Sequence, residues 1–316
     1  MKLTEDARGV FPIAPTPFHG DGRIDEASIE RLAQHWLQCG ADGATVLGIM
    51  GEAPKLTAEE SVAVARRFIH GMEGLPVIVG VSAPGFAAMR ALAHEVMADG
   101  AAGVMIAPPP HLRTDDEIAS YFAGAAEAVG PGVPWVLQDY PLTLTVVMTP
   151  AVIRRVVGDN PGCVMLKHED WPGLEKISAL RGFQAEGSLR ALSILTGNGG
   201  LFLDFEMERG ADGAMTGYAF PELLVDVVRM QAEGQRDAAH DLFDAHLPLL
   251  RYEQQARIGL AVRKYVLMRR GLLSSDAQRK PAPGLSARGR TEVDYLLDRL
   301  GRTDTRAAGL RTAQAA

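Results

Sequence analysis

Eight short apolar runs recur along the chain, and they limit the possible folds more than any other feature. They are FPIAP (11–15), ATVLG (44–48), PVIVG (76–80), GVMIAP (103–108), WVLQ (135–138), CVMLK (163–167), LSILTG (192–197) and GAMTG (213–217). Most are apolar throughout rather than alternating, and Gly or Pro punctuates them, as expected of strands buried on both faces of a parallel sheet. Amphipathic stretches separate them. In IDEASIERLAQHWLQCG, Ile29, Leu32, Ala33, Trp36 and Leu37 fall on one face, and Gly40 supplies a stop. Thr57-Ala58-Glu59-Glu60 and Thr114-Asp115-Asp116-Glu117 read as capping boxes that open helices. Thr149-Pro150 reads as an N-cap followed by proline at the first helical position.

The strand–helix unit repeats every 25–33 residues or so, the pitch of a (β/α)8 barrel. A doubly wound open sheet is the competitor, but it often carries a Gly-rich phosphate turn. Neither GxGxxG nor GxxxxGK[ST] occurs, so the expected class is α/β, a (β/α)8 TIM barrel over residues 1–220. Residues 221–300 read as three or four further helices forming a C-terminal helical extension. Residues 301–316 hold too few large apolar side chains to promise order.

Charge and cysteine content exclude several classes. A net charge of -7 offers no basic face for nucleic acid. No apolar run approaches the ~20 residues that span a bilayer. MKLTEDARG lacks the apolar stretch of a signal peptide, and Cys39 and Cys163 form no disulfide framework, so a reducing cytoplasm is the expected location. The eight histidines include no HxxxH or HExxH pair, and neither a metal nor a cofactor is expected. His35, His70, His94, His240 and His246 fall on helical stretches as surface or packing residues, leaving His111, after Pro108-Pro109-Pro110, to approach a site.

Active sites of such barrels lie at the C-terminal ends of the strands. Lys167 ends the sixth run. Side chains alternate along a strand, so Met165, Lys167 and Glu169 share one face and His168 points the other way. A lysine in a barrel mouth is partly desolvated, which favours the free, nucleophilic amine. The plainer alternative is a solvated lysine at a strand end. On the fifth run Gln138 projects inward and Tyr140 sits at the rim. The loop GIMGEAPKLTAEE offers the backbone amides of Ile49, Met50 and Gly51 to a carboxylate, while Glu52 reads as a buried structural acid. Thr216 and Gly217 at the end of the eighth run, and Asn198 after the seventh, are candidate pocket residues.

GVFPIAPTPFHGDGRIDEASI, the loop GIMGE, the strand-six lysine and GLLSSDAQRKPAPGLSARGR together resemble the dihydrodipicolinate synthase / N-acetylneuraminate lyase family, in order, from about residue 8 to 300. The resemblance implies a barrel with a helical C-terminal domain and a homotetramer arranged as a dimer of dimers. It also implies a lyase in which Lys167 forms a Schiff base with a small 2-oxo acid. Against that pattern, Gln138 stands where the family's synthases and aldolases carry a tyrosine, with Tyr140 two residues later. Ile49 and Met50 replace two hydroxyl residues; the relay tyrosine falls near Pro110 and the synthases' arginine near Thr143. These departures argue against the lysine-pathway synthase. VLQDYP, the PPPH loop, GADGAMTGYAFPE and HLPLLRYEQQ are instead similar to the 2-keto-3-deoxy sugar acid dehydratases, the L-2-keto-3-deoxyarabonate dehydratases in particular. The reaction expected is dehydration of a 2-keto-3-deoxy sugar acid, with Glu169 or Tyr140 as the acid. A pyruvate aldolase or condensing enzyme, a metal-dependent aldolase and a non-catalytic metabolite-binding barrel are the alternatives.

Overall fold

The apolar runs become eight parallel strands in a computed structural model that describes residues 1–171 and 173–310. They are β1 (Gly9–Val10), β2 (Ala44–Val46), β3 (Val77–Gly80), β4 (Gly103–Ile106), β5 (Trp135–Asp139), β6 (Cys163–His168), β7 (Ser193–Thr196) and β8 (Gly213–Ala214). From β2 to β8 each strand pairs with the next in sequence, and β8 returns to pair with β1. The Ile13–Thr45 bridge links the chain after β1 to β2, with Ala14 N–H donating to Thr45 O at 2.8 Å. The molecule is therefore a (β/α)8 barrel. β1 is shorter and earlier than the run FPIAP because Pro12 and Pro15 have no N–H to give a ladder.

The intervening helices are α1 (Glu26–Cys39), α2 (Ala58–Gly71), α3 (Phe86–Ala98), α4 (Asp115–Val129), α5 (Pro141–Leu144), α6 (Pro150–Asp159), α7 (Leu174–Ala185) and α8 (Leu203–Glu208). Both capping boxes form, with Glu60 N–H and Glu117 N–H each 3.2 Å from the threonine hydroxyl that caps them. Thr149 caps α6, and Gly40 closes α1 at φ 77°. Four more helices follow: α9 (Pro221–Ala232), α10 (Arg236–Glu253), α11 (Gly259–Arg269) and α12 (Ala287–Leu300). α9 lies against α1, α8, β1 and β8, while α10 packs on α9, α11 and α12.

Residues 301–310 differ from the expectation of a tail without order. Thr305–Ala307 forms a 3-10 turn and buries Ala307. Asp304 accepts from His246 Nε2 at 2.8 Å and from Arg306. A buried polar anchor replaces the apolar side chains the segment lacks; residues 311–316 lie outside the described residues. Among the described residues no helix is long and apolar enough to cross a membrane.

The core has two parts. One fills the space between sheet and helices. The other fills the barrel and includes Ile78, Met105, Val136, Met165 and Leu195 from five successive strands, with Met215 directly after β8. That inner layer is the floor of the site.

Candidate active site

Two residues beyond each floor side chain the strand faces inward again. Those positions are Gly80, Ala107, Gln138, Lys167, Gly197 and Gly217. Four are glycine or alanine, and three of the glycines admit neighbouring groups to this layer, Leu47 O at Gly80, Glu169 at Gly197 and Arg263 at Gly217. The two polar side chains stand together, since Gln138 pairs with Lys167 in the β5–β6 register.

Lys167 is only 3% exposed. Its Nζ lies 3.0 Å from Glu169 Oε2, and Gln138 Nε2 donates to the same oxygen at 2.7 Å. Glu169, 6% exposed, turns inward as the alternation requires. Asn198 holds it from behind, Nδ2 donating to Glu169 O at 2.9 Å and the backbone N–H reaching Oε1 at 3.5 Å. Gly197 makes this rotamer possible: a Cβ there would stand 2.2 Å from Glu169 Cγ. The outward face carries a separate network. Asp139 takes a hydrogen bond from Lys176 Nζ at 2.8 Å and lies 3.6 Å from His168 Nδ1, so His168 faces the helices.

Tyr140 caps α5 at the rim and is half-buried. Burial pushes its phenol above the ordinary value, the charge of Glu169 pushes further, and Thr143 and Arg263 pull against both. It is therefore a proton donor at neutral pH. Ile49–Gly51 forms a 3-10 turn at the end of β2. The Gly51 N–H already donates to Gly48 O at 2.9 Å, which narrows the expected carboxylate-binding amides to those of Ile49 and Met50. Thr216 and Gly217 are buried at the end of β8. His111 is exposed beside Glu117 at the start of α4, and no hydrogen bond or ion pair ties it to the Lys167 group among the described residues. Proximity in a βα loop was its sole qualification, and the turn after Pro110 directs it to the surface.

The helices after the barrel contribute what was not expected from the sequence. Lys264 of α11 donates to Glu52 Oε1 at 2.6 Å, Thr16 O at 2.8 Å and Ala277 O at 2.9 Å. Glu52 is thus a buried structural acid that ties the β2 loop to α11. Next to it, Arg263 donates to Glu253 Oε1 at 2.5 Å. Each buried cation at the mouth is matched by a carboxylate, as burial of charge demands. Adjacent basic residues in the apolar run GLAVRKYVLM were the available signal.

One cluster elsewhere brings possible metal-ligand atoms together: those of His35, Cys39 and Glu222 lie within 4.8 Å of one another. Arg270 already pairs with Glu222 there. Burial, with Glu222 adding, pushes the Cys39 thiol up to about 12, so the thiolate is disfavoured. A groove of about 540 Å³ between α8 and α10, lined by Phe202, Phe205, Phe243 and Leu247, holds none of the expected site residues.

A barrel with an amine–carboxylate pair buried above an apolar floor defines the class, and comparison with known proteins defines the family. The model of the Dihydrodipicolinate synthetase family matches residues 6–300, and the chain belongs to that family. It is a lyase of the family's class I type. A crystal structure of dihydrodipicolinate synthase from Rhodopseudomonas palustris is 69% identical, covers 95% of this chain and 99% of that one, and superposes with a TM-score of 0.94. L-2-keto-3-deoxyarabonate dehydratase of Azospirillum brasilense is 29% identical over 93% of this chain and 94% of its own length. A probable 2-dehydro-3-deoxy-D-pentonate aldolase of Escherichia coli K12 is 27% identical over 89% of this chain and 97% of its own.

Proposed function

We propose that the protein dehydrates a 2-keto-3-deoxy sugar acid through a Schiff base on Lys167. The observation that carries this is the Lys167–Glu169 pair at 3.0 Å, with Gln138 rather than a tyrosine beside it. Glu169 takes a proton from the ammonium, and the amine attacks the C2 ketone. Loss of water gives an iminium, an electron sink that makes a C3 proton removable. The resulting enamine expels the C4 hydroxyl as water once an acid protonates it. Glu169 gives the ammonium's proton to the departing C2 hydroxyl, takes up the C3 proton in its place and delivers that proton to the C4 hydroxyl, and Tyr140 is the second candidate for the acid. Transfer of a C5 proton to C3 turns the C3–C4 double bond into a C4–C5 enol that ketonises to a terminal aldehyde, and hydrolysis of the imine then returns Lys167. The amides of Ile49 and Met50 hold the substrate carboxylate, with Thr216, Gly217 and Asn198 lining the pocket.

Retro-aldol cleavage is the second reading, supported by the likeness to the pentonate aldolase. It needs a base on the C4 hydroxyl rather than an acid, and Gln138 cannot act as one. The test is product analysis after incubation with 2-keto-3-deoxypentonates. A 2-oxo acid carrying a terminal aldehyde is expected. Pyruvate as sole product would refute dehydration and favour cleavage.

A further inference from the structure

Arg263 is 2% exposed, and its Nε is committed to Glu253. Nη1 is buried without a partner, and Nη2 makes no hydrogen bond among the described residues. Guanidinium N–H groups left without an acceptor are costly in a protein interior and persist where a ligand completes them. The group lies against the end of β8: a Cβ built on Gly217 would stand 2.0 Å from Nη1 and 2.7 Å from Cζ. The bare backbone of Gly217 is what admits the guanidinium to this wall. Gly217 belongs to the same inward layer as Lys167, so arginine and amine face one mouth. Glu253 already balances the positive charge, and it is held by Ala219 N–H at 3.3 Å as well. The free Nη groups therefore suit a neutral hydroxyl oxygen better than a second carboxylate.

We propose that Arg263 is the specificity-determining residue for the distal end of the substrate, its free Nη groups donating to the C5 hydroxyl oxygen while Lys167 holds C2. This rests on the Schiff-base reading above and assigns that site a substrate class: 2-oxo acids with a hydroxylated chain beyond C4.

The test compares pyruvate, which has no distal end, with a 2-keto-3-deoxypentonate. Each is trapped with borohydride over a concentration series, and adduct is read by intact mass. Arg263→Lys keeps a cation beside Glu253. Arg263→Met keeps the bulk of the side chain and removes every donor. Thermal melting checks that both variants fold. In each, the half-saturating pentonate concentration is expected to rise about tenfold, the loss of one charge-assisted hydrogen bond, while that for pyruvate stays within about twofold. A pentonate value within about twofold of wild type overturns the inference and leaves the Schiff base standing. Equal weakening for both compounds assigns Arg263 a structural role and overturns it too. Wild-type protein that traps neither compound overturns the proposed function and this inference together.

Discussion

Glu169→Gln separates the formation of the Schiff base from the elimination that follows. The substitution keeps the shape of a side chain packed between Gln138, Asn198 and Gly197 and removes its charge and its titratable proton. Glu169 Oε2 is shared by Lys167 Nζ at 3.0 Å and Gln138 Nε2 at 2.7 Å, so the amide keeps one acceptor for two donors. Loss of a positioned general acid costs about 10²–10⁴-fold in rate. At ~1.4 kcal/mol per factor of ten, that is roughly 3–5 kcal/mol of the barrier. Leaving the buried ammonium without its carboxylate costs stability as well, with about 3–5 kcal/mol as the ceiling. The assay is stopped-flow or coupled detection of the aldehyde product, alongside borohydride trapping of pyruvate and a melting curve. The expected result is a folded variant that accumulates pyruvate adduct more slowly than wild type but reaches the same extent given time, while its dehydration kcat falls by at least about 10². Dehydration within about threefold of wild type would refute the assignment. If Tyr140→Phe produced the loss instead, the acid would be Tyr140, whose raised phenol keeps its proton at neutral pH.

Other consequences follow from the same geometry. Gly197→Ala pushes a methyl into Glu169, whose Cγ would lie 2.2 Å away, and is expected to cut kcat by at least about tenfold with little change in far-ultraviolet circular dichroism. Glu206 is buried near His168, and burial raises its carboxyl from 4.5 to about 7. The native state therefore favours its protonated form; that stabilisation is full below pH 4.5 and is lost as the pH rises through 7. Glu206→Gln is accordingly expected to melt like wild type at pH 4.5 and to exceed it at pH 8.5 by up to roughly 3 kcal/mol, and equal melting at both pH values would count against this account. Lys264→Met removes the tie from α11 to Glu52 and Thr16 and is expected to lower unfolding stability by about 3 kcal/mol in urea, with the shift read from the transition midpoint. Thr114→Ala removes half of a capping box and is expected to cost about 1 kcal/mol without affecting turnover.

The barrel was legible because parallel strands buried on both faces print continuous apolar runs, and the capping boxes at Thr57 and Thr114 marked where helices begin. Lys167 and Glu169 could be placed on one inward face by alternation alone. Their hydrogen-bonding partners could be read less well. Gln138 was visible as inward, but its bond to Glu169 depends on a β5–β6 register that no local pattern encodes. Arg263 and Lys264 lie about 100 residues from Lys167 and reach the mouth only because α11 folds back over it. Glu52 is 212 residues from its partner Lys264, whereas Glu253 is ten from Arg263. The order of 301–310 is not legible from apolar pattern because its anchor is Asp304, hydrogen-bonded to buried His246 and paired with Arg306, rather than apolar bulk.

The central claim is that Lys167 is the nucleophile. Borohydride reduction in the presence of pyruvate, followed by peptide mass spectrometry, tests it most directly. A single adduct of the reduced pyruvyl mass on the peptide containing Lys167, absent from Lys167→Ala, is the predicted result. An adduct that survives Lys167→Ala, or no adduct on folded wild-type protein at saturating pyruvate, would contradict it.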